Sequence, residues 1–310
     1  MAHGFKVIDA FSRVTRLGEG LTSTGELSEQ AMERTLEALK ACVDKMIRNQ
    51  VTRVRLVATE ACRQAANCTD FTARVAAETG LLLDIISPYE EARLALAGCA
   101  TLLNPLQPWA LVFDIGGGST EMVWVRTSAL GQEVKGVQSI PAGVVTLAEQ
   151  YADELASAAG YDKVVADLTM ALRPFEDRHA IAGQLAAGTV QMLGTSGTVT
   201  TLAALHLGLT RYDRSLIDGV WLDFADISRV TKSLIEMSPA ERAAHPCIGT
   251  ERADLVIAGC AILEAVCRLW PLGRLRVADR GVREGVLMSL MHEDVDEDED
   301  TPSLAAAEGR

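Results

Sequence analysis

The 310-residue sequence predicts an α/β protein built on a mainly parallel sheet. Three observations carry that reading. Continuous apolar runs such as Val54–Thr59 read as strands buried on both faces, as parallel strands are. They alternate with segments whose apolar residues recur at helical spacing. Two strands also run into glycine-rich turns, Gly116–Ser119 and Gly194–Thr198.

Each element follows in order. Phe5 to Leu17, rich in β-branched and aromatic residues, reads as an extended strand that Leu17-Gly18-Glu19-Gly20 ends in a loop. Ser28 can cap a helix whose apolar face is Met32, Leu36, Leu39, Val43, Met46 and Ile47. After the Val54–Thr59 strand, Asp70 caps a helix to Glu78 that Gly80 stops, and Leu81–Ile86 is extended. Glu90–Leu103 is a helix closed by Asn104-Pro105-Leu106-Gln107-Pro108. A second unit starts at Trp109. Trp109–Asp114 and Thr120–Val125 are strands hinged by glycines, a β-hairpin rather than the strand–loop–helix of a nucleotide P-loop. Extended chain to Pro141 precedes helices near Val144–Ala159 and Lys163–Leu172. Thr189–Leu193 is a strand, and a helix leaves the Gly194–Thr198 turn through Leu207. A long helix spans Glu251–Leu269; a last strand, Arg274–Ala278, leads through Asp279-Arg280-Gly281 to a closing helix ending near Met291. The polar Pro105–Pro108 loop divides the chain into domains 1–107 and 108–292, with an acidic tail at 293–310.

The net charge of −13 disfavours nucleic acid and anionic membrane as partners, since both leave a basic footprint. That charge is uneven. Seven of the eight residues from Glu293 to Asp300 are acidic, which reads as a solvated, disordered tail, and the body carries only −6. The longest apolar stretch, Leu255–Leu263, is about half of a membrane span, and the amino terminus lacks a signal pattern; a cytoplasmic protein is expected. Seven cysteines without CxxC spacing suit small buried hydrophobes in a reducing compartment.

Chemistry concentrates at three places. In Asp114-Ile115-Gly116-Gly117-Gly118-Ser119-Thr120-Glu121 a buried strand ends on a carboxylate and three glycines, whose backbone N–H groups can converge on an anion. Asp114 is placed to hold a divalent cation, because hard cations prefer oxygen ligands. Gly194-Thr195-Ser196-Gly197-Thr198 lies between strand and helix, where an anion or a nucleotide is favoured and a simple helix cap is the alternative. Glu90-Glu91, at a helix start, reads by itself as a dipole complement on a solvated face.

Taken together, Asp114–Glu121, Glu90-Glu91-Ala92-Arg93-Leu94, Gly194–Thr198, Tyr212-Asp213-Arg214, Asp218-Gly219, Glu251-Arg252-Ala253-Asp254 and Asp279–Gly285 resemble, in order, the motifs of the Ppx/GppA phosphatases. These are exopolyphosphatases and guanosine pentaphosphate phosphohydrolases, and the resemblance spans about Phe5 to Met291. It implies an actin-like (ASKHA) fold: two RNase H-like domains with the active site in the cleft between them. It implies Glu91 as general base, Asp114 as the carboxylate associated with Mg²⁺ and Glu121 as a second acid of that metal site. Gly116, Gly117, Gly118 and Ser119 would bind phosphate, with Arg63 facing the substrate. Gly194, Thr195, Ser196, Gly197 and Thr198 would lie near a nucleoside. The implied partner is inorganic polyphosphate or guanosine pentaphosphate, with a homodimer plausible. Arg93, Arg252, Arg280 and Arg283 are further cations available to line the cleft.

The sequence also departs from the family pattern. The family opens on a hairpin with an Asp-x-Gly-Thr-Asn-Ser-like loop, whereas Phe5–Asp9 resembles the third strand; a truncated or damaged enzyme is therefore expected. Pro88-Tyr89 stand where a glycine and a polar residue are common. Glu60 stands where a small hydroxyl residue is usual. The alternatives to a hydrolase are a catalytically weak nucleotide or alarmone sensor and an actin-like kinase or ATPase.

Overall fold

The protein's structure, a computed structural model, describes residues 6–299, with side chains as far as Met291. Its first unit opens with a four-residue helix, α1 (Leu21–Thr24), and the long α2 (Glu29–Arg48), capped by Ser28, whose hydroxyl accepts from the Ala31 amide at 3.2 Å. Strand β1 (Leu56–Ala58), helices α3 (Glu60–Gln64) and α4 (Cys68–Thr79), strand β2 (Leu83–Ile85) and helix α5 (Pro88–Cys99) follow. β1 and β2 pair in parallel, and Leu36, Phe71 and Val75 of α2 and α4 bury against them. Gly80 in left-handed conformation ends α4, as its sequence predicts, but the helix starts at Cys68 and encloses Asp70 instead of being capped by it.

The strand expected over Phe5–Leu17 is absent from the described residues 6–17, which form no ladder bonds. Side chains tie this stretch down instead: Lys45 pairs with Asp9 at 2.8 Å, and Arg34 donates to the Thr15 carbonyl at 3.1 Å. β-Branched composition alone does not make a strand where no neighbour lies in register.

The second unit holds β3 (Trp109–Ile115), β4 (Thr120–Ser128), β5 (Gly131–Ile140), α6 (Val144–Gln150), α7 (Ala158–His179), α8 (Ile181–Ala186), β6 (Val190–Thr195), α9 (Gly197–His206), α10 (Arg214–Ile217), β7 (Trp221–Asp223), α11 (Phe224–Glu236), α12 (Pro239–Ala244), α13 (Val256–Leu269), β8 (Arg274–Ala278) and α14 (Val282–Glu299). The strands form a sheet in the order β5-β4-β3-β6-β8-β7. It is mixed rather than mainly parallel. β3–β6 and β6–β8 are parallel across helical crossovers, whereas β3–β4–β5 form an antiparallel meander because short turns permit no other pairing. The helix expected over Val144–Ala159 breaks after Gln150, and Ser157 caps α7 afresh. The closing helix passes Met291 to Glu299, since no glycine or proline interrupts a helix already nucleated by packing. The tail from residue 300 onward lies outside the described residues.

β3 divides the interior by alternation. Leu111, Phe113 and Ile115 face the large core under α7, α9 and α13, whereas Ala110 and Val112 face α5 through Ala92, Leu96 and Cys99. α5 thus packs on the second unit's sheet, and α14 packs on α5. Gly98 and Gly285 allow that approach: a Cβ at Gly285 would run into the Leu94 carbonyl oxygen, and one at Gly98 into that of Gly281. Gly285→Ala is expected to destabilise the protein by about 3 kcal/mol, the upper part of the range for overpacking. Thermal denaturation checks this; a variant melting like wild type would contradict the close approach.

Candidate active site

The hairpin of β3 and β4 fixes two carboxylates. Its loop leaves Ile115 opposite Thr120 and therefore Asp114 opposite Glu121. Both side chains lie on the face that carries Ala110, Val112, Val123 and Val125, the face α5 covers. α5 starts at Pro88, at the first turn where proline is tolerated, and the Ser87 hydroxyl accepts from the Glu90 amide at 3.1 Å. The adjacent acids then diverge. Glu90 pairs with Arg93 at 2.9 Å on the surface, while Glu91 turns inward and is only 6% exposed. The solvated-face reading holds for Glu90 and fails for Glu91.

Three carboxylates without a matching number of cations make an electrostatically strained site. Burial, followed by the charge of Glu121, pushes the Glu91 carboxyl up to about 7, against the opposing pull of Arg63. Desolvation and the charges of Glu121 and Glu91 raise Asp114 well above the usual carboxylate range. Burial also raises Glu121, although Ser119 and Ser139 donate to its Oε1 at 2.7 and 2.9 Å. Among the described residues its buried Oε2 has no hydrogen-bond partner. Glu91 Oε2 lies 2.9 Å from Arg63 Nη1 but receives no aligned hydrogen bond. Among the described residues no three His, Cys, Asp or Glu side chains form a ready-made metal cage. Two orphaned carboxylate oxygens beside Asp114 nevertheless fit a hard cation that keeps several of its waters and takes one or two carboxylates.

The glycine loop lies beside them. The Val144 and Val145 amides at the start of α6 donate to the Gly116 and Gly117 carbonyls at 2.9 Å each, fixing the loop's orientation. The N–H groups of Gly117, Gly118 and Ser119 meet no backbone acceptor among the described residues, so they can receive an anion. The Ser119 hydroxyl does not join them, because it is buried and spent on Glu121. Arg63 reaches the site from α3, held by Glu60, Glu91 and the Ile86 carbonyl.

The second turn separates into parts. Gly194 and Thr195 belong to β6; a Cβ at Gly194 would collide with the Phe113 ring, and the Thr195 hydroxyl donates to the Arg280 carbonyl at 2.6 Å. Thr198 is buried against Gly259. Gly194 is therefore held by packing, while Thr198 packs on Gly259 and, with Gly197, borders the hollow that Gly116–Gly118 also line. Ser196 caps α9 by accepting from the Val199 amide at 3.1 Å, and with Gly197 it borders a cavity of about 880 Å³ that reaches Asp114. Arg252, Arg280 and Arg283 line the same cavity, and Arg280 is pinned by Asp218 at 2.7 Å. Arg93 does not line it. Glu60, whose charge the sequence already sets near the phosphate site, packs against Gly118 and holds Arg63, whereas Ser139, which donates to Glu121, has no signal in the sequence. Ser139 arrives through its register with Glu121 across β5 and β4.

Fold and site together define a mixed α/β protein that sets buried carboxylates beside a glycine loop. The chain belongs to the Ppx/GppA phosphatase family, whose model matches residues 1–294. It is 32% identical over 296 residues to exopolyphosphatase 2 of Mycobacterium tuberculosis, covering 90% of this chain and 88% of the relative. The crystal structure of the Aquifex aeolicus Ppx/GppA family member superposes with a TM-score of 0.71 at 31% identity, over 91% of this chain and 88% of that one. An exopolyphosphatase from Cytophaga hutchinsonii gives a TM-score of 0.79 at 25% identity, over 89% and 87%. Among the described residues no helix is long and apolar enough to cross a membrane.

Proposed function

We propose that the chain hydrolyses the terminal phosphoanhydride bond of inorganic polyphosphate and releases orthophosphate. The observation that carries this reading is the Glu91 carboxylate, buried opposite Asp114 and Glu121 and pushed up to about 7. A base with a pKa near the working pH is suited to take a proton from water. In the proposed reaction the water oxygen attacks the terminal phosphorus, its proton passes to Glu91, and the bridging P–O bond breaks toward the shortened chain. The N–H groups of Gly117, Gly118 and Ser119 stabilise the phosphoryl oxygens as charge shifts among them. Asp114 and Glu121 would hold Mg²⁺. Such an ion, when bound, neutralises phosphate charge that these carboxylates otherwise repel.

The arginines of the large cavity suit a long polyanion, and two relatives carry exopolyphosphatase names. Guanosine pentaphosphate offers the same terminal bond and is the second substrate to try. Colorimetric phosphate release from both, with Mg²⁺ and with a chelator, tests the proposal. Release from polyphosphate that the chelator abolishes is expected. Tight binding without release would instead make the protein a sensor.

A further inference from the structure

Glu60, the first residue of α3, sits between the arginine and the glycine loop. Its Oε2 accepts from Arg63 Nε at 2.9 Å and Nη2 at 2.7 Å, and its Oε1 accepts from Gln64. The remaining nitrogen, Arg63 Nη1, donates to the Ile86 carbonyl at 2.8 Å and lies 2.9 Å from Glu91 Oε2. Every nitrogen of this guanidinium is thus engaged inside the protein. Both side chains of the Glu60–Arg63 pair are 15% exposed, so solvent screens their attraction little. Glu60 also lies on the anion loop: a Cβ at Gly118 would stand 3.2 Å from its Cγ. It places a negative charge where a phosphate chain would approach and occupies the arginine such a chain would need.

We infer that Glu60 is a positioning residue that competes with the substrate's phosphates for Arg63, so that it sets the polyphosphate concentration at which the site fills. In the unliganded site the carboxylate keeps the guanidinium withdrawn. A polyanion of higher charge density displaces it, because a phosphate chain offers several oxygens to the planar fork where Glu60 offers one. The inference rests on the hydrolase reading above and deepens it.

Kinetics of polyphosphate hydrolysis and calorimetric binding of tripolyphosphate, on wild type, Glu60→Gln and Glu60→Ser, test it. Glu60→Gln keeps the side chain's shape against Gly118, and Glu60→Ser removes its reach, so misfolding of one leaves the other informative. Both are expected to lower KM by roughly tenfold, as removal of one poorly screened charge at this range allows, with kcat changing less than KM. Tripolyphosphate binding should tighten by a similar factor. Replacing Arg63 by Gln as well should erase the gain. An unchanged or raised KM, or a gain that survives in the Arg63→Gln background, overturns the inference. If wild type releases no phosphate, the hydrolase reading fails, while tripolyphosphate binding still decides the role of Glu60.

Discussion

Glu91→Gln is expected to lower phosphate release from polyphosphate by about 10³-fold while leaving the fold at least as stable above pH 7. The size follows from removing a general base, which typically contributes 10²–10⁴-fold. The stability follows from the same environment. Glu91 is buried and faces Glu121, so its ionisation is unfavourable, and a neutral amide of equal shape relieves it. The combination separates chemistry from folding. A loss of activity accompanied by a lower melting temperature at pH 8 would mean that Glu91 acts structurally. In wild type, kcat/KM should rise with pH through about 7 as Glu91 loses its proton. A cation held nearby should draw that limb to lower pH.

Without divalent cations, stability should fall as pH rises from 5 to 8. The folded-state pKa of Glu91 is raised from 4.5 to about 7, and those of Asp114 and Glu121 are raised as well. The folded protein therefore holds protons that the unfolded chain has already released. That contribution is complete below about pH 4.5 and is lost as pH passes the folded values. Glu91 alone accounts for about 3 kcal/mol of the loss. At pH 8, Mg²⁺ at a hundred times its dissociation constant should restore about 2.7 kcal/mol. Thermal denaturation in chelator and in Mg²⁺ across this range checks both halves. A flat profile in chelator would contradict the raised carboxyls, and no response to the ion would mean that these carboxylates hold no Mg²⁺.

Much of this site was legible in the sequence because it is local. Four residues between Ile115 and Thr120 force Asp114 opposite Glu121, and Ser87-Pro88 fix where α5 begins and hence which acid turns inward. The elements carrying these residues were placed to within a few positions. What stayed hidden depends on neighbours distant in sequence. Ser139 reaches Glu121 only through the pairing of β4 with β5, and nothing near Ser139 signals it. The opposite face of α5, at Leu94 and Gly98, is covered by α14, nearly two hundred residues later, through Gly98 and Gly285. In the Gly194–Thr198 turn composition does not separate the residues that border a cavity from those held by packing. Gly194 is small because the Phe113 ring lies against it, and Thr198 lies where only a glycine, Gly259, fits opposite. The Lys6–Leu17 stretch misled, having strand composition without a pairing partner.

In the proposed reaction water, oriented by Glu91, attacks the terminal phosphorus of a phosphate chain, and polyphosphate hydrolysis in ¹⁸O-labelled water shows where its oxygen goes. Each released orthophosphate is expected to carry one solvent-derived oxygen, with no label in the shortened chain. Label in the chain instead, or phosphate passed unlabelled to another acceptor, would contradict it.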